Sequence, residues 1–135
     1  MAQVAIGRQE KLKVWGNDYD TPDGTGIRDF IHVVDLAAGH LSILDHLRRP
    51  GVLTVNLGTG AGNSVLEVIR MFETVSGRSV PYEVAERRMG DVPICYANPS
   101  LAATTLHWHS ERSLAQMCAD HWRWQINNPN GYRGL

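Results

Sequence analysis

The sequence predicts an α/β fold, and three observations carry that expectation. Short strand-like runs recur at residues 11–15, 28–33, 52–57 and 80–86. Helical stretches at 34–47, 64–75 and 112–126 stand between or after them. Clusters of Gly, Pro, Asn and Asp punctuate the joints. The chain has 135 residues, which suits one domain able to bury a core. A hydrophobic content of 43% and a formal net charge of −1 describe a soluble globular protein. With no basic excess, nucleic acid is not an expected partner. No apolar run approaches the ~18 residues of a membrane span, so no membrane role is expected. Residues 1–8 lack the charged and apolar regions of a signal peptide. Cys95 and Cys118 are too few for a disulfide framework and lack metal-ligand spacing, which fits a reducing cytoplasm.

Residues 2–8 read as the tail of a helix too short to stand alone in water, as if the helix began upstream. Residues 11–15 alternate polar and apolar and form a strand ending at Gly16. The loop 17–26 is dense in turn residues. Its Asp18, Asp20 and Asp23 precede Gly24 but do not match a calcium loop, because Pro22, Asp23 and Asp29 take its fifth, sixth and twelfth positions. A strand is expected over 28–33 and an amphipathic helix over 34–47, with Leu36, Leu41, Leu44 and Leu47 largely on one face. Asp35 lies in that helix's first turn, where it complements the dipole. His32, His40 and His46 read as packing or surface residues.

Residues 52–57 form a second strong strand. Gly58-Thr59-Gly60-Ala61-Gly62-Asn63 follows and opens a helix from Ser64, with Ser64 and Glu67 as a capping box. Strand, glycine loop and helix invite a dinucleotide-binding reading. The pattern is Gly-x-Gly-x-Gly rather than Gly-x-Gly-x-x-Gly, so no cofactor role is assigned to it, although Glu83 lies at about the spacing of a ribose acid. Gly77 ends that helix. Asn98 and Pro99 start a short helix as cap and first residue. His107-Trp108-His109 reads as a connector packed around Trp108. In the last helix Leu114, Met117, Cys118, His121, Trp122 and Gln125 recur at helical spacing and mark its buried face.

The run Glu86-Arg87-Arg88-Met89-Gly90-Asp91 follows the strand 80–86 and carries the sharpest chemistry. An arginine fork matches phosphate oxygens bidentately and stays charged at any working pH. A glycine lets backbone approach a ligand closely. A nearby carboxylate can accept hydrogen bonds from ribose hydroxyls. Together these make a clamp for a nucleotide diphosphate; a solvated charged turn is the competing reading.

Four motifs together resemble the UDP-glucose 4-epimerase family of the extended short-chain dehydrogenase/reductases. They are Asp18-Tyr19-Asp20-Thr21-Pro22-Asp23-Gly24-Thr25-Gly26-Ile27-Arg28-Asp29-Phe30-Ile31-His32-Val33, Asn56-Leu57-Gly58-Thr59-Gly60, Arg87-Arg88-Met89-Gly90-Asp91, and Trp122-Arg123-Trp124-Gln125-Ile126-Asn127-Asn128-Pro129. The resemblance covers nearly the whole chain. It implies the C-terminal, sugar-nucleotide-binding part of such an enzyme, spanning residues 1–135. The upstream Rossmann domain for NAD is largely absent. The family's Tyr-x-x-x-Lys pair is not found: none of Tyr19, Tyr82, Tyr96 and Tyr132 has a lysine four residues on. No catalytic or cofactor-binding residue is therefore expected in this chain, which should be inactive alone.

The resemblance also implies named roles. Trp15 stacks on the uracil, with Lys13 and Val14 beside it; base–aromatic stacking is worth roughly 1–3 kcal/mol. Arg28 and Arg88 match diphosphate arginines, and Asp91 a ribose-contacting acid. Arg87 is structural. Phe30 replaces the family's usual tyrosine and is left out of the site. Cys95 stands beside the hexose, where a small side chain leaves room for an N-acetyl group. The implied parent is a homodimer that uses NAD to take hydride from C4 and return it to the opposite face. It interconverts UDP-galactose with UDP-glucose, and their N-acetylated counterparts as well.

Overall fold

A computed structural model describes residues 1–48 and 50–132. A parallel pair and a three-stranded mixed sheet are flanked by five helices, in accord with the α/β expectation. In chain order these are α1 (Ala2–Ala5), β1 (Leu12–Trp15), β2 (Ile27–Arg28), α2 (Val33–Ser42), β3 (Asn63–Ser64), α3 (Val65–Ser76), β4 (Tyr82–Ala85), β5 (Ile94–Cys95), α4 (Ser100–Leu106) and α5 (Leu114–Asn127). β1 pairs in parallel with β4, placing Lys13 opposite Glu83 and Trp15 opposite Ala85. β2 lies between β3 and β5, antiparallel to the first and parallel to the second, with Arg28 opposite Cys95.

The main core forms where α3 crosses α5 over β1. Val68, Ile69 and Phe72 project from one face of α3 onto Val14, Val80 and Cys118. The Trp122 ring meets Phe72 edge-on at 5.9 Å. The capping box of Ser64 and Glu67 holds the start of α3, and Gly77 ends it in the left-handed region. α5 begins with a second capping box, Ser113 with Gln116, which the sequence reading passes over. The predicted buried face of α5 holds for Cys118 and Gln125, while His121 is exposed. Phe30 packs against this same core.

Several expectations need correction. The strand expected at 28–33 pairs only at Ile27 and Arg28. Beyond it Asp29 turns to other partners, and His32 becomes the cap of α2, its Nδ1 accepting the Val34 amide at 3.0 Å. α2 stops at Ser42 and gives way to a 3-10 turn at His46–Arg48. Its buried positions are Asp35 and Gly39, not the leucine face. Leu41 and Leu47 are 67% and 70% exposed. The side that meets Trp108 is built from small and polar groups. Asp35 does lie in the first turn, but its carboxylate is bound to residues 111 and 112. α4 starts one residue later than expected, with Pro99 as its cap position; Asn98 Oδ1 still accepts the Ser100 amide.

The strand expected at 52–57 is extended but has no ladder partner among the described residues. Its alternation is real. Leu53, Val55 and Leu57 pack on Ala102, Leu106 and Trp108, while Val52 is 96% exposed. A strand needs a neighbour to be a strand, and side-chain alternation does not supply one.

Candidate functional site

Alternation along β1 sends Val14 inward and turns Lys13 and Trp15 outward. Val14 is 1% exposed and belongs to the core under α3, so the structure does not bring this predicted site residue to the surface with Lys13 and Trp15. Trp15 keeps 37% of its surface open. The Lys13 ammonium lies 5.9 Å from the Trp15 ring centre and the Arg88 guanidinium 5.4 Å from it.

Arg88 sits just past β4, at the start of a tight turn. The Asp91 amide donates to the Arg88 carbonyl at 3.2 Å, and Gly90 between them has φ +86°. That left-handed geometry is costly for any residue with a Cβ. The turn folds Arg88 back onto Asp91, with Nε 3.3 Å from Oδ2. The other oxygen of Asp91 is 3.8 Å from the Arg28 guanidinium. Arg28 is steadied by the Ile27 carbonyl, to which it donates at 2.8 Å. Its strand partner is the exposed Cys95. Trp15, Arg88, Asp91, Arg28 and Cys95 thus form one continuous strip, drawn from β1, β2, β5 and the turn after β4. Lys13 joins it at the tryptophan.

Arg87 points elsewhere. Its guanidinium lies 4.2 Å from the Tyr19 ring centre and its Nε donates to Asp18 at 2.6 Å. The Arg87 hydrogen bond holds the Asp18 carboxyl below the usual carboxylate range. This agrees with the structural role expected for Arg87, and it pins the loop 17–26.

Three carboxylates outside the predicted site, of which the sequence gives only Asp35 a role, at the dipole of α2, hold its frame. Asp23 accepts from the Thr25 amide at 3.0 Å and hydroxyl at 2.7 Å, from the Ser64 hydroxyl, and faces Arg70. Its oxygens are committed within the chain, which explains why the aspartate-rich loop forms a clasp rather than a calcium loop. Asp29 accepts from the Thr59 amide and hydroxyl, the Gly60 amide and the Ala97 amide at 2.6–3.2 Å. A Cβ at Gly58 would stand 2.6 Å from an Asp29 oxygen, so this approach requires glycine. Burial works to raise the Asp29 pKa, but Thr59 and the three amides outweigh it and keep the carboxyl below its ordinary value. The glycine loop therefore already binds an anion, the chain's own. The Thr59 and Gly60 amides are the ones committed to it. Asp35 is the third. It accepts from the Glu111 and Arg112 amides at 3.1 and 2.9 Å and pairs with the Arg112 guanidinium. Burial again opposes the shift, and the Arg112 contacts prevail, so its pKa is lowered. The sequence signal is slight: Asp23 lies in a Gly- and Thr-rich turn, and Asp29 and Asp35 carry no such mark.

A concavity of about 640 Å³ lies elsewhere, between the start of α2 and α5, lined by His32, Val33, Val34, Asp120 and Trp124 among others. None of the predicted site residues lines it. No helix among the described residues is long and apolar enough to cross a membrane.

The model of the NAD dependent epimerase/dehydratase family matches residues 1–58. The UDP-glucose 4-epimerase of Bacillus subtilis is 55% identical over 134 residues, covering 98% of this chain and 40% of that protein. The structure of UDP-glucose 4-epimerase from Bifidobacterium longum, in complex with NAD+ and UDP, superposes with a TM-score of 0.93 at 50% identity, covering 97% of this chain and 39% of the other. A UDP-Glc/GlcNAc 4-epimerase from Campylobacter jejuni superposes with a TM-score of 0.79 at 38% identity, over 93% of this chain and 39% of the other. The chain spans about two fifths of the length of the relatives it matches.

Proposed function

The chain belongs to the UDP-glucose 4-epimerase family, within the NAD-dependent epimerases and dehydratases, and on that premise we propose that it is the part that holds the UDP moiety of the substrate. The observation that carries the proposal is the strip from Trp15 through Arg88 and Asp91 to Arg28 and Cys95. It offers a partner for each group of a UDP-sugar. An aromatic face meets a base, two guanidiniums meet a diphosphate, a carboxylate between them meets ribose hydroxyls, and a small side chain stands where a hexose would follow. Lys13 flanks the base, as β1 turns it outward beside Trp15.

In this reading the intact enzyme is a cytoplasmic homodimer that interconverts UDP-galactose and UDP-glucose through an NAD-dependent 4-keto intermediate. Cys95 leaves space for N-acetylated sugars too. NAD supplies the hydride chemistry from outside the described residues. What this chain contributes is binding and orientation: it neutralises the diphosphate and fixes the distance from base to sugar. The exposed apolar surface of Val33, Leu41, Leu47 and Val52 fits a face that packs against the cofactor-binding part. The chain alone should be inactive.

Titration with UDP, followed by two-dimensional amide NMR, tests the reading. Amides of residues 13–15, 28 and 86–95 should shift in the wild type and remain still in Arg88→Ala. A dispersed spectrum that ignores UDP overturns the binding role. Restored epimerase activity on adding a separately produced upstream part of a relative would extend the reading to the enzyme; silence in that mixture would confine it to nucleotide binding.

A further inference from the structure

We propose that Asn130 is a site of spontaneous modification, a side-chain amide that the Arg8 guanidinium prepares for attack by the next residue's nitrogen and loss of ammonia. Neither residue belongs to the nucleotide strip. Among the chain's asparagines only Asn130 precedes a glycine. Glycine has no Cβ, so its nitrogen reaches the preceding side chain without obstruction. Asn98 and Asn128 precede prolines, which have no N–H to give up. Asn63 precedes Ser64, which is buried and whose amide is held by the Glu67 carboxylate at 2.7 Å.

The partner of Asn130 is the second observation. The Arg8 guanidinium donates to Asn130 Oδ1. Arginine carries only donors, so the contact sets the amide with its oxygen toward the cation and Nδ2 away from it. Both residues are exposed, and a Cβ built at Gly131 meets nothing within 4 Å, so solvent base and water have access. In the reaction the Gly131 nitrogen gives its proton to solvent base and bonds to Asn130 Cγ. The carbonyl electron pair moves onto Oδ1, where the guanidinium already stands, as a donor does in an oxyanion hole. The pair then returns, the Cγ–Nδ2 bond breaks, and ammonia leaves with a proton from solvent. Water opens the cyclic imide at either carbonyl and leaves aspartate or isoaspartate. One contact opposes the step. The Gly131 amide donates to the Asn128 carbonyl at 3.0 Å, and this turn, which lies past the end of α5, must open first. Either product sets a carboxylate near Arg8. Gln3 of α1 also donates to Gln125 of α5 at 2.9 Å, so the modification turns a neutral link beside that clasp into an ion pair.

Peptide mass spectrometry of the full chain, incubated in mildly alkaline buffer, tests this, with isoaspartate-specific enzymatic labelling as a second readout. Asn130 should convert first among the asparagines. In Arg8→Ala its rate should fall by about three- to tenfold, well short of the loss in a dry oxyanion hole, because solvent screens an exposed contact. If Asn130 converts no faster than Asn17 or Asn63, the site is overturned. If it converts in Arg8→Ala as fast as in the wild type, or faster, the activation by Arg8 is overturned. Amide spectra that match the wild type outside residues 1–9 and 124–132 establish that the Arg8→Ala chain is folded; if it is not, Arg8→Met carries the same comparison.

Discussion

Around Phe72 the chain closes with hydrocarbon, and around Trp108 it closes with carboxylates. On the first side α3 and α5 bury Val68, Ile69, Phe72 and Cys118 against β1, and no charged group is needed inside. On the second side a small cluster of Ala102, Leu106 and Trp108 is covered by α2 and by the extended residues 53–57. What fastens that cover is polar. Asp35 binds the segment before α5, and Asp29 binds the glycine loop and Ala97. The Trp108 indole donates to the Asp35 carbonyl at 3.0 Å. The outer surface of α2 and Val52 remain bare. Apolar burial is non-directional and suffices where both faces are covered; where one face awaits a partner, directed bonds must hold the position. The strip proposed to hold the nucleotide runs between these two constructions, with Trp15 at the end of β1 and Arg28 beside Asp29.

The largest effect should come from emptying the hydrocarbon side. Phe72→Ala removes a ring that is 2% exposed and touches both His121 and Trp122. It should cost about 3–5 kcal/mol and unfold the whole chain in one transition, read by urea denaturation with Trp fluorescence and circular dichroism together. Should the chain survive with α2 melted and α3 intact, the ranking of the two sides would be reversed.

Asp35→Asn probes the other side. It leaves the Arg112 guanidinium without its counter-ion and turns an NH2 donor toward either that guanidinium or the Glu111 and Arg112 amides. A loss of about 3 kcal/mol is expected from breaking a buried pair this way. Hydrogen exchange should show the loss first in α2 and residues 53–57, with the α3 amides slowest. Equal loosening of both sides would mean that Asp35 supports the whole fold rather than the cover.

Acid should discriminate between the sides without a mutation. Asp23, Asp29 and Asp35 all have lowered pKa values in the fold, so the unfolded chain takes up protons first as pH falls. The stability they supply is fully present above the ordinary carboxylate pKa of about 3.9 and is lost as pH drops through their lower folded values. Between pH 6 and 3, exchange corrected for its intrinsic rate should accelerate at the Asp29 and Asp35 contacts and in the loop 17–26. The α3 interior should lose protection only with global unfolding.

Much of this was open to reading from the residues. Part of the hydrocarbon side was visible because helical spacing on α5 reports burial: Cys118 and Gln125 lie where the period puts them, although His121 does not. The turn that joins Arg88 to Asp91 was visible because Arg88, Gly90 and Asp91 are adjacent in sequence and their chemistry is local. The carboxylate side was not. Leu41 and Leu47 look like a core stripe, yet they face outward, because amphipathic spacing names an apolar face without naming what covers it. Residues 52–57 alternate like a strand and have no ladder. Asp29 and Asp35 bind partners 30 to 77 positions away, and no local pattern encodes such a distance.

The smallest predicted effect lies in the strip itself. Gly90 has φ +86°, and a Cβ built there meets nothing within 4 Å. Gly90→Ala therefore creates no clash. It adds only the cost of holding a side-chain-bearing residue in the left-handed region, about 1 kcal/mol. Neither side of the fold depends on this turn, so global stability should fall by no more than that, as measured by urea midpoint. The turn can escape the strain by opening, which separates Asp91 from Arg88 and both from Arg28. UDP binding should weaken by about fivefold, because the energy that re-forms the turn must come from the ligand. A change confined to stability, with UDP affinity intact, would show that the two arginines find the diphosphate without the turn. A change in affinity with stability nearly untouched would place the site's order in six residues, Glu86 to Asp91, rather than in either of the structures that flank it.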